Sequence, residues 1–248
     1  MVRAGIDVVR MNSSHGSTED HLARATSIRE IAARLGRPVG ILGDLQGPKI
    51  RVGKFADGKI TLVEGEKFIL DAACPLGNQE RVGLDYKDLP KDVVHGDILL
   101  LDDGRLKLEV IAVRGHEIHT QVLVGGDLSN NKGINRQGGG LTAPALTAKD
   151  MDDIKTAAQI GVDFVAVSFP KGAADMYMAR QLLRAAGSSA VLIAKIERVE
   201  AITNLAEILD ASDGPMVARG DLAVEVGDAT VPALQKKMIR MARDRNKL

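Results

Sequence analysis

The sequence predicts an α/β fold in which strands and helices alternate, interrupted once by an all-β module. Three observations predict it. Short apolar runs such as Val191-Leu192-Ile193-Ala194 and Met216-Val217-Ala218 end in charged residues and are separated by helix-like stretches. The 248 residues are 45% hydrophobic but only 2% aromatic, so Val, Leu, Ile and Ala must fill the core, which suits parallel strands buried on both faces. Between about 54 and 141 the rhythm changes to short β-rich segments with no convincing long helix.

The elements follow in order. Met1-Val2-Arg3-Ala4-Gly5 reads as the tail of a helix closed by Gly5. Asp7–Met11 is a strand, and Ser17 with Glu19 and Asp20 starts a helix that runs to about Ala33. Pro38–Leu42 is the next strand and leads into Asp44-Leu45-Gln46-Gly47-Pro48. Segments Ile60–Val63, Lys67–Leu70, Asp97–Leu101, Leu106–Val113 and Ile118–Val124 make the inserted module, with turns at Asp103-Gly104 and Gly115-His116. Gly138-Gly139-Gly140 marks the return hinge. Helices then span Thr147–Gly161, Ala173–Ala186, Val199–Leu209 and Val231–Arg245, with strands at Asp163–Ser168, Val191–Lys195 and Pro215–Ala218. The expected domains are 1–53 and 142–248 as two parts of one α/β domain, with 54–141 inserted. The βα units fit a (β/α) barrel or an open doubly wound sheet. Charged residues at many strand ends favour the barrel, although the main domain shows five candidate strands where a closed barrel needs eight.

Composition excludes several functions. With 33 basic and 33 acidic residues and few aromatics, the chain lacks the footprint of a nucleic-acid binder. Cys74 is the single cysteine, so no internal disulfide forms and a reducing, cytoplasmic location is expected. No apolar run approaches the ~20 residues of a membrane span, and the N-terminus does not look like a secretion signal. The five histidines are scattered, so no zinc site is expected, and no Ser-His-Asp set stands out.

Chemistry concentrates at strand ends. Lys195 and Glu197 are two apart on a strand and face one way. Asp221 follows the next strand, and two carboxylates beside a lysine suggest a magnesium site that handles an anion. A plain salt bridge is the bland alternative for Lys195 and Glu197. Arg219-Gly220-Asp221 reads as an active-site loop rather than an adhesion signal, with Gly220 admitting a ligand close to backbone. Arg10-Met11-Asn12-Ser13-Ser14-His15-Gly16 is either a capping loop or part of the site. Asp44, Lys49 and Arg51 share a Gly-Pro turn at the domain boundary, where hinge loops carry function; an ordinary surface linker is the bland reading. Lys132 either reaches an anion or is a solvated turn lysine.

Met11–Gly16, Asp44–Arg51, Leu141–Asp150, Val167-Ser168-Phe169, Ala194–Glu197 and Met216–Leu222, in this order and at similar intervals, resemble pyruvate kinase. The resemblance covers essentially the whole chain and is nearest to the bacterial branch with Asp-Leu-Gln-Gly-Pro-Lys-Ile-Arg. It implies a (β/α)8 TIM barrel with a β-domain lid inserted after the third strand. It implies the glycolytic transfer of phosphoryl from phosphoenolpyruvate to ADP, giving pyruvate and ATP. By the same resemblance, Glu197 and Asp221 hold Mg²⁺ and Lys195 is the catalytic group that stabilises the transferring phosphoryl and the enolate. Arg10, Lys195, Gly220 and Asp221 contact phosphoenolpyruvate; Asn12, Ser14, His15, Arg51 and Lys132 contact nucleotide. Asn12, Ser14, Asp44 and the backbone of Leu45 match a K⁺ site, and the full-length enzyme is a homotetramer.

Two residues depart from the family pattern. Ser13 stands where many members have Phe, which predicts looser packing under its loop. Lys49 stands where many potassium-dependent members have Glu, which predicts potassium-independent chemistry with the ammonium replacing the ion. Measured against the family, the chain is expected to be truncated at both ends, without the last barrel strands, a threonine-bearing substrate loop and the C-terminal domain. Such a five-strand arc is expected to have exposed edges and an open interior, to associate, and to be active only when completed. A Mg-dependent pyruvate or phosphoenolpyruvate lyase or aldolase, and a non-catalytic fragment, are the competing readings; Lys132 and Arg51 favour the kinase.

Overall fold

A computed structural model describes residues 1–248. After a single 3-10 turn at Val2–Ala4 come β1 (Val8–Asn12), α1 (Thr18–Arg34) and β2 (Gly40–Asp44). The β-rich stretch holds β3 (Lys59–Leu62), β4 (Lys67–Asp71), β5 (Arg81–Val82), the one-turn α2 (Leu89–Asp92), β6 (Ile98–Leu101), β7 (Leu106–Arg114), β8 (Glu117–Val124), β9 (Gly126–Ser129) and β10 (Ile134–Arg136). Then follow α3 (Ala148–Ile160), β11 (Phe164–Val167), α4 (Ala173–Ala185), β12 (Val191–Ile196), α5 (Val199–Thr203) and α6 (Leu205–Ala211). The last elements are β13 (Gly214–Val217), α7 (Arg219–Val226), a 3-10 turn at Asp228–Thr230 and α8 (Val231–Asp244). The chain forms two compact units: Met1–Pro48 with Pro144–Ala218 and Ala233–Leu248, and Lys49–Ala143 with Arg219–Pro232. No helix is long and apolar enough to cross a membrane.

The first unit is built on a five-stranded parallel sheet ordered β1-β2-β11-β12-β13, with β1 and β13 as its edges. Leu42, Ala166 and Ile193 cluster on it with Phe164, Val191 and Met216, and each fully buried Val, Leu or Ile contributes roughly 1.5–3 kcal/mol. Register sets the chemistry: Asn12 lies beside Asp44, Asp44 beside Ala166, and Lys195 beside Met216. The helices start where their caps dictate. Ser17 and Asp20, and Thr147 and Asp150, each form a reciprocal capping box, and Gly161 closes α3 in the left-handed region at φ 68°.

Two local expectations need correction. The helix expected over Val199–Leu209 is two helices, α5 and α6, that meet at Asn204. The Asn204 amide donates to the carbonyl of Lys171 at 2.8 Å, and Asn is a weak helix former that readily takes such bonds. Arg219-Gly220-Asp221-Leu222 is not a loop but the first turn of α7. Asp221 there complements the helix dipole, and Leu222, fully buried, anchors the turn.

The second unit holds a six-stranded sheet, β10-β6-β7-β8-β4-β5, and the antiparallel pair β3 and β9. Strand alternation buries Phe68 and Leu70 of β4, Leu99 and Leu101 of β6, and Leu108 and Val110 of β7 in one core. Gly138, Gly139 and Gly140 all have positive φ, at 81°, 77° and 88°, a backbone that side chains resist. Asp97 ties β10 to the β6 entry: its carboxylate accepts from Arg136 Nη2 at 2.8 Å and from the Val94 N–H at 2.8 Å. Burial pushes its pKa up, but Arg136 and the amide outweigh that and hold it below the usual carboxylate range. Its stabilisation is therefore present above the ordinary carboxylate pKa and is lost as pH falls through the depressed value. Asp97→Asn is expected to melt lower than wild type at neutral pH, with the gap closing in acid; thermal melts at both pH values check this.

Candidate active site

In the first unit the strand ends converge on Lys195. Its ammonium lies 2.9 Å from Glu197 Oε1 and 3.2 Å from Asp44 Oδ1, and it donates to Ser168 Oγ at 2.7 Å. All four residues are buried, Asp44 and Glu197 to 1% exposure. Burial pulls the Lys195 pKa down; the Glu197 and Asp44 carboxylates more than restore it, so the ammonium titrates above the usual lysine range. Asp44 also accepts from Arg10 Nε at 2.6 Å, while Arg10 itself remains half exposed. A buried acid thus aims an exposed guanidinium, the group suited to gripping a phosphate or carboxylate.

The loop after β1 is held as a turn. Asn12 Oδ1 accepts the Ser14 N–H at 3.0 Å, the His15 N–H donates to Asn12 O at 3.2 Å, and Ser13 donates its N–H to Asp44 O at 2.9 Å. Lys149 donates to the Ser13 carbonyl at 2.8 Å. The Leu45 carbonyl accepts the Ser168 hydroxyl at 2.6 Å.

Ser168 and Phe169 carried no assigned role in the sequence reading, yet both touch the charged cluster. Phe169 takes φ 55°, rare for an aromatic residue, and its N–H donates to Glu197 Oε2 at 2.8 Å. The left-handed turn aims an amide at a carboxylate, and such backbone strain collects at functional sites. The available signal was position: Val167-Ser168-Phe169 ends β11, the strand beside β12.

The second unit carries the remaining candidates. Lys49 meets Asp221 at 3.3 Å and Asp103 at 4.0 Å. These residues, with Lys107, Arg219 and Gly220, line a cleft of about 1000 Å³. Lys132 is paired with Asp102 at 2.7 Å, and Arg51 donates to the Asn131 carbonyl at 3.1 Å. The carboxylates of Asp221 and Asp103 against Lys49 give this cleft a mixed-charge wall.

The family model for pyruvate kinase, barrel domain, matches residues 1–248. Pyruvate kinase of Haemophilus influenzae is 58% identical over 252 residues, covering 100% of this chain and 53% of that protein. Pyruvate kinase II of Salmonella typhimurium is also 58% identical over 252 residues, with 100% and 52% covered. Pyruvate kinase of Mycobacterium tuberculosis H37Rv is 45% identical over 247 residues, with 100% and 52% covered. The chain spans about half the length of the curated relatives it matches. With a match from its first residue to its last, the chain belongs to the pyruvate kinase family.

Proposed function

We infer that this chain supplies catalytic machinery for phosphoryl transfer from phosphoenolpyruvate to ADP, in the cytoplasm, as part of a homotetrameric enzyme. The observation that carries this reading is Lys195, kept cationic and fixed by Glu197, Asp44 and Ser168. In the reaction the bond between phosphorus and the enol oxygen breaks, a β-phosphate oxygen of ADP takes the phosphoryl group, and the enolate left behind is protonated to pyruvate. Negative charge grows on the enol oxygen and is spread over the phosphoryl oxygens, so a fixed ammonium there lowers the barrier. Arg10, held by Asp44, grips the phosphate of phosphoenolpyruvate, and Gly220 gives its carboxylate close approach to the first turn of α7. Arg51, Lys132, Asn12, Ser14 and His15 take the nucleotide.

Glu197 and Asp221 fit Mg²⁺ by donor chemistry: both are carboxylates, and each already faces an ammonium where a cation is wanted. When bound, the ion neutralises charge on the phosphoryl and carboxylate oxygens. Five parallel strands and the β-rich second unit support a reading of 1–53 and 142–248 as part of a (β/α)8 barrel, with 54–141 as its inserted lid.

The test supplies Mg²⁺, ADP and phosphoenolpyruvate and follows both products. ATP and pyruvate in equal amounts support the transfer. Pyruvate released without ADP points to lyase or aldolase chemistry. For the K⁺ site at Asn12, Ser14, Asp44 and Leu45, Lys49 is the deciding departure. Asp44 is already compensated by Arg10 and Lys195, and Lys49 is a cation where the family pattern has an acid. Exchange of sodium for potassium is expected to leave the rate unchanged; a many-fold rise with potassium defeats potassium independence.

A further inference from the structure

The second unit holds a cluster that the catalytic reading does not use. Asp71, the last residue of β4, pairs in register with Glu117, the first of β8. Arg81 Nη1 bridges their carboxylates at 2.9 and 2.8 Å. His116, 61% exposed at the side chain, brings Nε2 to 3.6 Å from Asp71 Oδ1. His119 brings Nε2 to 2.9 Å from Glu117 Oε2. One donor atom each from Asp71, His116 and Glu117 lies within 4.8 Å of the others.

We propose that Asp71, His116 and Glu117, supported by His119, form a binding site for a divalent transition-metal ion of the zinc class, with Arg81 as the resident cation that the ion displaces. Imidazole with carboxylate is a donor set for Zn²⁺, and an ion with bonds of ~2.0–2.2 Å needs donors closer than the widest spacing here. The exposed His116 ring sits in the turn between β7 and β8 and closes that gap by rotating. His119 Nε2 lies 2.9 Å from the far oxygen of Glu117 without a hydrogen bond in this arrangement, close enough for its ring to sense an ion on that carboxylate. Arg81 marks the spot: its guanidinium occupies the place between two carboxylates where positive charge is demanded. Its side chain is one-third exposed, so it has a path to solvent when an ion takes its place. Without an ion, Arg81 staples β4, β5 and β8; with one, the metal does so. The site stands apart from the catalytic reading and does not depend on it.

The experiment titrates the chain with ZnCl₂ and follows histidine ring signals by NMR, in a Glu197→Gln background that removes one candidate Mg²⁺ ligand. One equivalent is expected to shift the His116 and His119 signals while His15, His21 and His95 stay put. His116→Gln is expected to weaken binding by about tenfold or more, and Arg81→Gln to tighten it. Silence of both rings in wild type and in Arg81→Gln overturns the proposal. So does unchanged affinity in both His116→Gln and Glu117→Gln, because the ion then binds elsewhere. Should Arg81→Gln fail to fold, the His116→Gln and Glu117→Gln comparison decides alone.

Discussion

On the phosphoryl-transfer reading, Lys195→Met in the completed enzyme is expected to lower kcat for ATP formation from phosphoenolpyruvate and ADP by roughly 10²–10³-fold, the usual cost of one preorganised group that stabilises developing charge. The loss should fall on kcat more than on KM, because the ammonium matters most as charge develops. The same substitution leaves Glu197 and Asp44 buried without their shared cation, and breaking such a pair costs about 3–5 kcal/mol. Folding must therefore be measured beside turnover, by denaturant titration. Sign fixes the pH window. The folded pKa of Lys195 lies above the ordinary lysine value, so its stabilisation is complete below that value and fades as pH rises through the folded one. The deficit of the variant should stay constant across neutral pH and shrink only in strong base. A folded Lys195→Met protein that turns over at the wild-type rate removes Lys195 from the mechanism.

The second large effect is on stability. Asp150 is fully buried and accepts three hydrogen bonds: from Thr147 N–H at 2.9 Å, from Thr147 Oγ1 at 2.6 Å, and from the Gly47 N–H at 2.9 Å. It caps α3 and also holds the turn after β2. That turn comes so close to β11 that a Cβ on Gly47 would lie 2.7 Å from Ser168 Cβ. Asp150→Ala removes a cap, at about 1 kcal/mol, and strands a buried amide, at about 1–3 kcal/mol. The expected total is about 2–4 kcal/mol by denaturant unfolding, with Asp150→Asn costing less because an acceptor oxygen remains. If Asp150→Ala unfolds with wild type, the two roles are not carried by this side chain.

Much of the first unit was legible because its signals are local. Ser17 with Asp20 and Thr147 with Asp150 announce helix starts within four residues of chain, and the β12 run is apolar until Lys195. The break at Asn204 has no local signal because the carbonyl that accepts its side-chain amide, that of Lys171, is distant in sequence. Arg219-Gly220-Asp221 looks like a loop because glycine disfavours helix; the buried Leu222 overrides it through tertiary packing. In the site, Lys195 and Glu197 declare themselves by strand alternation. Ser168 does not, since its role lies in a proton given to Leu45 and a lone pair given to Lys195. The left-handed turn at Phe169 has no signature in residue type. The Asp71, Arg81 and Glu117 cluster joins three strands and becomes visible only when they pair.

A count of protons around Lys195 has a consequence for ligand binding. An ammonium has three N–H groups, and its three polar neighbours are Glu197, Asp44 and Ser168. The Ser168 proton is given to Leu45, so the serine faces Lys195 as an acceptor. Asp44 Oδ1 faces the ammonium at 3.2 Å as an ion pair without a hydrogen bond, so the pairing there is by charge. An incoming anion competes with these carboxylates for the charge of the ammonium. If a carboxylate is released, its uncompensated charge attracts a cation. Anion and cation binding then favour one another, and linkage requires the effect to be equal in both directions.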